Sequence, residues 1–355
     1  MTTPLAPAAD RPGARFGAHR VREPKGLLPQ PAWQLDNSFE TLWDNEIVVD
    51  VETLNIDAAS FKQMEDASGG NPAGILELVR KNVEERGKQH NRVTNSGGML
   101  LGVVRHVGSR VAPERAPKVG DRIATLASLT LTPLAIESFG QVRPASAQID
   151  VRGRAVIADG APFARLPPDL PEKLALAILD VAGAPIQVAR RARPGDSVVI
   201  LGAGGKSGSL CAVQARRSVG TTGRVIGVEA FARYADDLRG LAVCDAVLAH
   251  DATDALGLYE AVLAANEGRE VDLSVCCVNV DGAELATILP VRDGGCAYFF
   301  SMSTSFTRCA LGAEGVGKDV ELIIGNGYAR GHADWSLDVV RTEARLRSSF
   351  EERYG

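Results

Sequence analysis

The chain has 355 residues, 45% hydrophobic and 23% charged, enough apolar side chain for two cores without disulfide staples. Its 39 basic and 44 acidic residues leave a net charge of −5, the wrong sign for a nucleic-acid footprint. No apolar run is long enough to span a bilayer.

The elements follow in chain order. Met1 to Asp10 is rich in Pro and Ala and lacks an apolar core segment, so residues 1–14 read as a loose tail rather than a secretory signal. Ile47 to Leu54 alternates as a strand. Asp57 stands where it would cap a helix over Ala58 to Gln63. Between Asn71 and Gly87, Ile75, Leu78, Val79 and Val83 share one helical face. Met99 to Val104 is a second strand, and Lys118 to Ile123 places a Gly-Asp turn before a third. This half reads as an irregular β domain.

From Pro171 the rhythm changes. A helix over Leu174 to Arg191 leads to the strand Ser197 to Leu201, a glycine loop, and a helix from about Ser209 to Val219. Arg224 to Glu229, Ala246 to Ala249, Val271 to Cys277 and Ala297 to Ser301 are further apolar runs, several of them separated by helical segments. Such alternation predicts an α/β, doubly wound parallel sheet covered on both faces. The six cysteines (211, 244, 276, 277, 296, 309) sit mostly in apolar stretches and form no C-x-x-C pair, so buried free thiols and a cytoplasmic location are expected.

The loop Gly202-Ala203-Gly204-Gly205-Lys206-Ser207-Gly208 follows a buried strand and opens a helix. That is the setting in which glycines let a diphosphate approach the backbone and helix N–H groups face the anion. Its last glycine comes one residue later than in G-x-G-x-x-G. A P-loop does not fit Gly205-Lys206-Ser207, because its first glycine would fall at Ile200. Glu229, at the end of the second strand, can accept the ribose hydroxyls and repel a 2′-phosphate, which favours NAD over NADP, although Arg233 nearby could reverse that preference. Asn279 and Ser301 complete the expected cofactor-binding set with Gly202, Gly204, Gly205, Lys206, Ser207, Gly208 and Glu229.

Lys118-Val-Gly-Asp-Arg-Ile123 and Arg193-Pro-Gly-Asp-Ser-Val-Val-Ile200 resemble turns of the medium-chain dehydrogenase/reductase superfamily. That likeness implies a GroES-like substrate domain followed by a Rossmann domain. Longer stretches resemble the L-erythro-3,5-diaminohexanoate dehydrogenase family of lysine fermentation. They include Gly17 to Val21, Glu23 to Gly26, Leu54 to Asp57 and Leu179 to Pro185. The most specific run from Phe299 through Ala310 to Val320, followed by Gly325 to Tyr328 and Gly331 to Ala333. The domains expected are 1–170 for substrate, 171–330 for NAD, and a C-terminal helix over 331–355 returning to the substrate domain.

Many superfamily members hold a catalytic zinc. Asn55 stands where their first Cys would be, Thr94-Asn95-Ser96-Gly97-Gly98 replaces Gly-His-Glu, and the five histidines show no ligand spacing, so no metal is expected. An amine, unlike an alcohol, needs no metal-held alkoxide. It needs a general base, a positioned water and stabilisation of a cation. The resemblance makes Asp57 and Asp180 the acid/base candidates, each with a plainer reading as a helix cap or turn residue. Asn55 and Ser96 follow as orienting groups. Lys318 and Arg20 are candidates for a substrate carboxylate, and Glu314 for an ammonium. The expected function is NAD-dependent deamination of a small diamino acid by a homodimer. The alternatives are a zinc-free NADPH-dependent enoyl or quinone reductase and a non-catalytic cofactor-binding protein.

Overall fold

The computed structural model describes residues 8–9, 12–93, 95–113, 116–325 and 327–354. Most of the expected tail, and Thr94, lie outside them; Ala8–Ala9 pairs in parallel with Leu42–Trp43. The chain forms two compact units, the first ending at Leu176 and the second beginning at Ala177.

The first unit is built on a six-stranded sheet. Its strands are β1 (Glu46–Asn55), β2 (Met99–Val107), β3 (Arg122–Thr125), β4 (Leu134–Arg143), β5 (Gln148–Ala158) and β6 (Phe163–Arg165). The order is β6-β3-β2-β1-β5-β4, every pair antiparallel. Two helices, α1 (Ala58–Ala67) and α2 (Pro72–Arg86), connect β1 to β2. Asn71 caps α2 through Ala73 N, and Gly87 ends it at φ 66°, so both ends follow the sequence signals. Ile47, Val49 and Val51 of β1 share one core with Phe61 and Met64 of α1 and Ile75, Val79 and Val83 of α2. Burial of those apolar faces is what fixes the end of β1 and the start of α1, where Asn55 and Asp57 lie.

The second unit carries six parallel strands: β7 (Ser197–Leu201), β8 (Arg224–Val228), β9 (Ala246–Leu248), β10 (Val271–Cys276), β11 (Val291–Phe299) and β12 (Glu321–Ile324). Their order, β9-β8-β7-β10-β11-β12, reverses direction between β7 and β10. This is the doubly wound arrangement in which ligands bind beyond the carboxyl ends of the strands. The helices are α3 (Glu172–Leu179), α4 (Gly183–Arg191), α5 (Lys206–Val219), α6 (Ala232–Leu241), α7 (Ala255–Ala265), α8 (Glu284–Ile288), α9 (Phe306–Gly315), α10 (His332–Thr342) and α11 (Ala344–Tyr354), with α3 running across the boundary at Leu176.

Two expectations are corrected. The single helix over Leu174 to Arg191 is two, broken at Asp180 to Ala182. A continuous helix would drive the Pro185 ring into the Val181 carbonyl and lose that hydrogen bond. The C-terminal segment is two helices rather than one, and both belong to the second unit. They dock there through polar contacts: Trp335 Nε1 donates to Gln214 Oε1 at 2.9 Å, Ser336 Oγ to Ala182 O at 2.9 Å, and an Arg217 N–H to Thr342 Oγ1 at 2.6 Å.

Candidate functional site

In the second unit the glycine loop joins β7 to α5. Gly202 turns at φ 74°, and the N–H groups of Gly202 and Ala203 both donate to Val228 O, at 2.9 and 3.0 Å, tying the loop to the end of β8. Three of the glycines are required by the protein's own packing. A Cβ at Gly208 would collide with Gly202 O, one at Gly204 with the Tyr234 carbonyl, and one at Gly202 would lie 2.7 Å from Val278 Cγ1. Gly205 differs: a Cβ there would meet only Gly202 O, at 3.3 Å. Its open face is therefore where a ligand can come close.

Gly205 is also the N-cap of α5, without a side-chain cap and with no acidic residue in the first turn. The amides of Lys206, Ser207 and Gly208 lie in that first turn, and with the helix dipole they fit the diphosphate of a dinucleotide. The Ser207 side chain is buried, and Ser209 Oγ donates to Gly205 O at 2.8 Å, which stiffens the turn.

Glu229 follows β8 and is buried. Its Oε2 accepts from Gly204 N at 3.2 Å and its Oε1 from Phe231 N at 3.1 Å. Each oxygen keeps a lone pair for a ribose hydroxyl. Asn279 follows β10 and Ser301 follows β11, and Ser301 Oγ donates to Asn279 Oδ1 at 3.1 Å. These residues, separated in sequence by about a hundred positions, thus share the carboxyl edge of one sheet.

Asp180 and Lys206, expected in different roles, form an ion pair: Lys206 Nζ lies 2.7 Å from Asp180 Oδ2. Burial opposes the charge on Lys206, but Asp180 outweighs it and holds the ammonium above its ordinary pKa. Burial pushes Cys276 up to about 12, and Cys211 is raised well above its ordinary value with Cys277 beside it.

In the first unit Asp57 caps α1: its Oδ1 accepts from Ser60 N at 2.8 Å. Its Oδ2 is buried and has no hydrogen-bond partner among the described residues. Asn55 is buried at the end of β1, where Gln148 Nε2 donates to its Oδ1 at 3.2 Å. Ser96 O accepts from Asn91 N at 2.8 Å. The following Gly-Gly is dictated by crowding. A Cβ at Gly97 would strike Gln89 O, and one at Gly98, with φ 77°, would strike Asn55 O. The segment thus threads between the Gln89 backbone and the end of β1, which brings Asn55 and Ser96 into one neighbourhood.

Sequence reasoning missed three residues here. Gln89, His90 and Gln148 are all buried, and both polar atoms of Gln89 and Gln148 Oε1 lack partners among the described residues, while His90 has the Asn95 side chain beside it. Burial, with Arg86 and Lys88 beside it, lowers His90 to a pKa of about 4, so its imidazole is neutral at pH 7. No motif announces such residues; only burial without a partner does.

Two candidates are committed elsewhere and a third lies on the surface. Arg20 is buried and donates to both oxygens of Glu46, at 2.6 Å each, and to the carbonyls of Ser38 and Thr41. Lys318 is bonded to Glu270 and, at 2.8 Å, to Val291 O. Glu314 is exposed on α9. Arg20 and Lys318 hold loops to strands rather than greeting a substrate carboxylate. Asn55 and the Gly97-Gly98 pair provide no Cys or His donor set, so these residues do not fit a zinc ion. Among the described residues no group of three His, Cys, Asp or Glu is placed to hold one.

A family model described as the L-erythro-3,5-diaminohexanoate dehydrogenase N-terminal domain matches residues 19–167. Proteins named L-erythro-3,5-diaminohexanoate dehydrogenase from Acetoanaerobium sticklandii and Fusobacterium nucleatum are each 47% identical over 342 residues, 96% of this chain and 99% of theirs. The chain belongs to the L-erythro-3,5-diaminohexanoate dehydrogenase family. Among solved structures, the Coxiella burnetii quinone oxidoreductase shares the fold at TM-score 0.54 and 14% identity, over 88% of this chain and 81% of that one. A mycobacterial protein complexed with NADPH does so at TM-score 0.54 and 18% identity, over 87% and 88%.

Proposed function

We propose that this enzyme oxidatively deaminates C3 of 3,5-diaminohexanoate, yielding 5-amino-3-oxohexanoate and ammonia, in lysine fermentation. The observation that carries this reading is 47% identity across 96% of the chain to two proteins bearing that dehydrogenase name. The enoyl and quinone reductase reading rests only on a shared fold, at 14–18% identity.

The Gly202 to Gly208 loop, Glu229, Asn279 and Ser301 would hold a nicotinamide dinucleotide, which would supply the hydride acceptor for C3. Everything else falls to the chain. The substrate ammonium must first give up a proton to free its lone pair, and the unpartnered Oδ2 of Asp57 is the acceptor we assign. Asn55, Ser96 and Gln148 orient the amine and then the water that adds to C3. Addition of that water and departure of ammonia complete the ketone, and one proton is released. A neutral His90 adds a dipole without a charge that would repel the cation. Asp180 acts through Lys206, keeping the loop in shape, and is a positioning residue. The cofactor is NAD rather than NADP, because the Glu229 carboxylate at the end of β8 repels a 2′-phosphate.

We also infer a homodimer, since β12 is an outer strand of its sheet and offers an edge for pairing. A cytoplasmic setting suits six free cysteines. The deciding experiment records NADH and ammonia together on 3,5-diaminohexanoate, with simple alcohols and enones as controls. Equal yields of both products, at a rate rising with pH on the acid side, are expected. Activity on an alcohol or enone without ammonia from the diamine would overturn the assignment.

A further inference from the structure

The last turn of α11 lies against the glycine loop of its own unit. An Arg353 N–H donates to Gly204 O at 2.9 Å. The guanidinium stacks between two aromatic rings, 4.9 Å from the centroid of Tyr234 and 5.1 Å from that of Tyr354. Tyr354 in turn sits 5.6 Å from Lys206 Nζ. Two cations and the positive end of α5 therefore meet at one loop. Lys206 is neutralised by Asp180 at 2.7 Å. Arg353 has no carboxylate partner and no further hydrogen bond among the described residues beyond that to Gly204. A half-buried guanidinium fixed by two rings and one carbonyl has already lost its rotamer freedom and still has N–H donors to give. Such an arrangement is built for an anion.

We propose that Arg353 is a dinucleotide-binding residue: its guanidinium, clamped by Tyr234 and Tyr354 on the rim of the Gly202 to Gly208 loop, binds the cofactor's diphosphate. This deepens the dinucleotide reading of the loop and rests on it. It also gives α11 a role that no loop motif discloses, since the residue completing the site lies about 150 positions from it.

The test uses the full chain and its R353A, R353K and Y354F variants, without substrate. Affinities for NADH, ADP-ribose and adenosine are measured by fluorescence or calorimetric titration, and melting temperatures are measured with and without inorganic diphosphate. R353A should weaken NADH and ADP-ribose about 10- to 100-fold, the scale of a charge-assisted contact, and leave adenosine within about twofold. It should also lose the diphosphate-dependent rise in melting temperature, R353K should recover part of each effect, and Y354F, which keeps the ring, should weaken NADH and ADP-ribose far less than R353A. ADP-ribose affinity unchanged or tighter in R353A overturns the proposal, and leaves Arg353 a tie between helix and loop. Failure of the wild-type protein to bind NADH at all would instead refute the reading of the loop.

Discussion

The two units treat their candidate side chains in opposite ways. In the second, these groups are spoken for: Lys206 by Asp180, Glu229 by the Gly204 and Phe231 amides, Ser301 by Asn279. In the first, Asp57, Gln89 and Gln148 all carry buried polar atoms with no partner among the described residues. Each such atom costs about 1–3 kcal/mol in an otherwise folded protein. A frame that must hold a large, constant cofactor profits from being rigid before it binds. On the proposed reaction, the first unit's unpartnered groups are the ones held in reserve to take a proton from the amine and orient water. The difference teaches where to look for chemistry: at the open groups, not at the best-ordered motif.

The sharpest break of that comparison is D57N. Asn caps a helix as well as Asp, so α1 should survive, while a base is lost. Turnover should fall about 10²- to 10⁴-fold with NADH affinity unchanged, and D180N should instead weaken NADH binding and lower the melting temperature. Equal turnover in D57N and wild type would remove Asp57 from the reaction.

Next in size is a pH effect from the first unit's interior. Lys88 is fully buried, with the Pro29 and Gln30 carbonyls as its hydrogen-bond partners among the described residues, at 2.7 and 2.9 Å, and burial together with Arg86 lowers its pKa to about 7. Between pH 7 and its ordinary 10.5 the unfolded chain holds a proton that the folded one has shed. Stability should therefore climb across that window and be insensitive to this group below it. Urea midpoints from pH 7 to 10 should show a rise on the order of 3–5 kcal/mol at about 1.4 kcal/mol per pH unit. K88M should flatten it.

Within the loop, G204A and G205A should part company. A methyl at Gly204 collides with Tyr234 and should cost about 1–3 kcal/mol in chemical denaturation. At Gly205 its one close neighbour is Gly202 O at 3.3 Å, a tight contact that a small shift relieves, so stability should fall less than in G204A while NADH affinity drops. The smallest effect expected is on cofactor choice. E229A should narrow the kcat/KM preference for NAD over NADP about tenfold, since it removes one repulsive charge but also the tie to Gly204.

Much of this protein is legible in its residues because the signals are local. Asn71 and Gly87 mark the ends of α2, an apolar run followed by glycines marks β7 and its loop, and Glu229 marks the end of β8. Capping, periodicity and turn chemistry act over a few residues, so a linear reading captures them. Pro185 is a local signal of the same kind for the break before α4. What the linear reading could not decide was pairing. Arg20 looked like a ligand for a carboxylate and proves to be the buried clamp on Glu46. Asp180 and Lys206 each looked like chemistry and prove to be each other's partner. His90 and Gln148 carried no motif, and Arg353 lay at the far end of the chain from the loop it touches. Whether a charge or an amide is spent or available depends on which distant group folding brings within about 3 Å, and in this chain only the tertiary structure decides that.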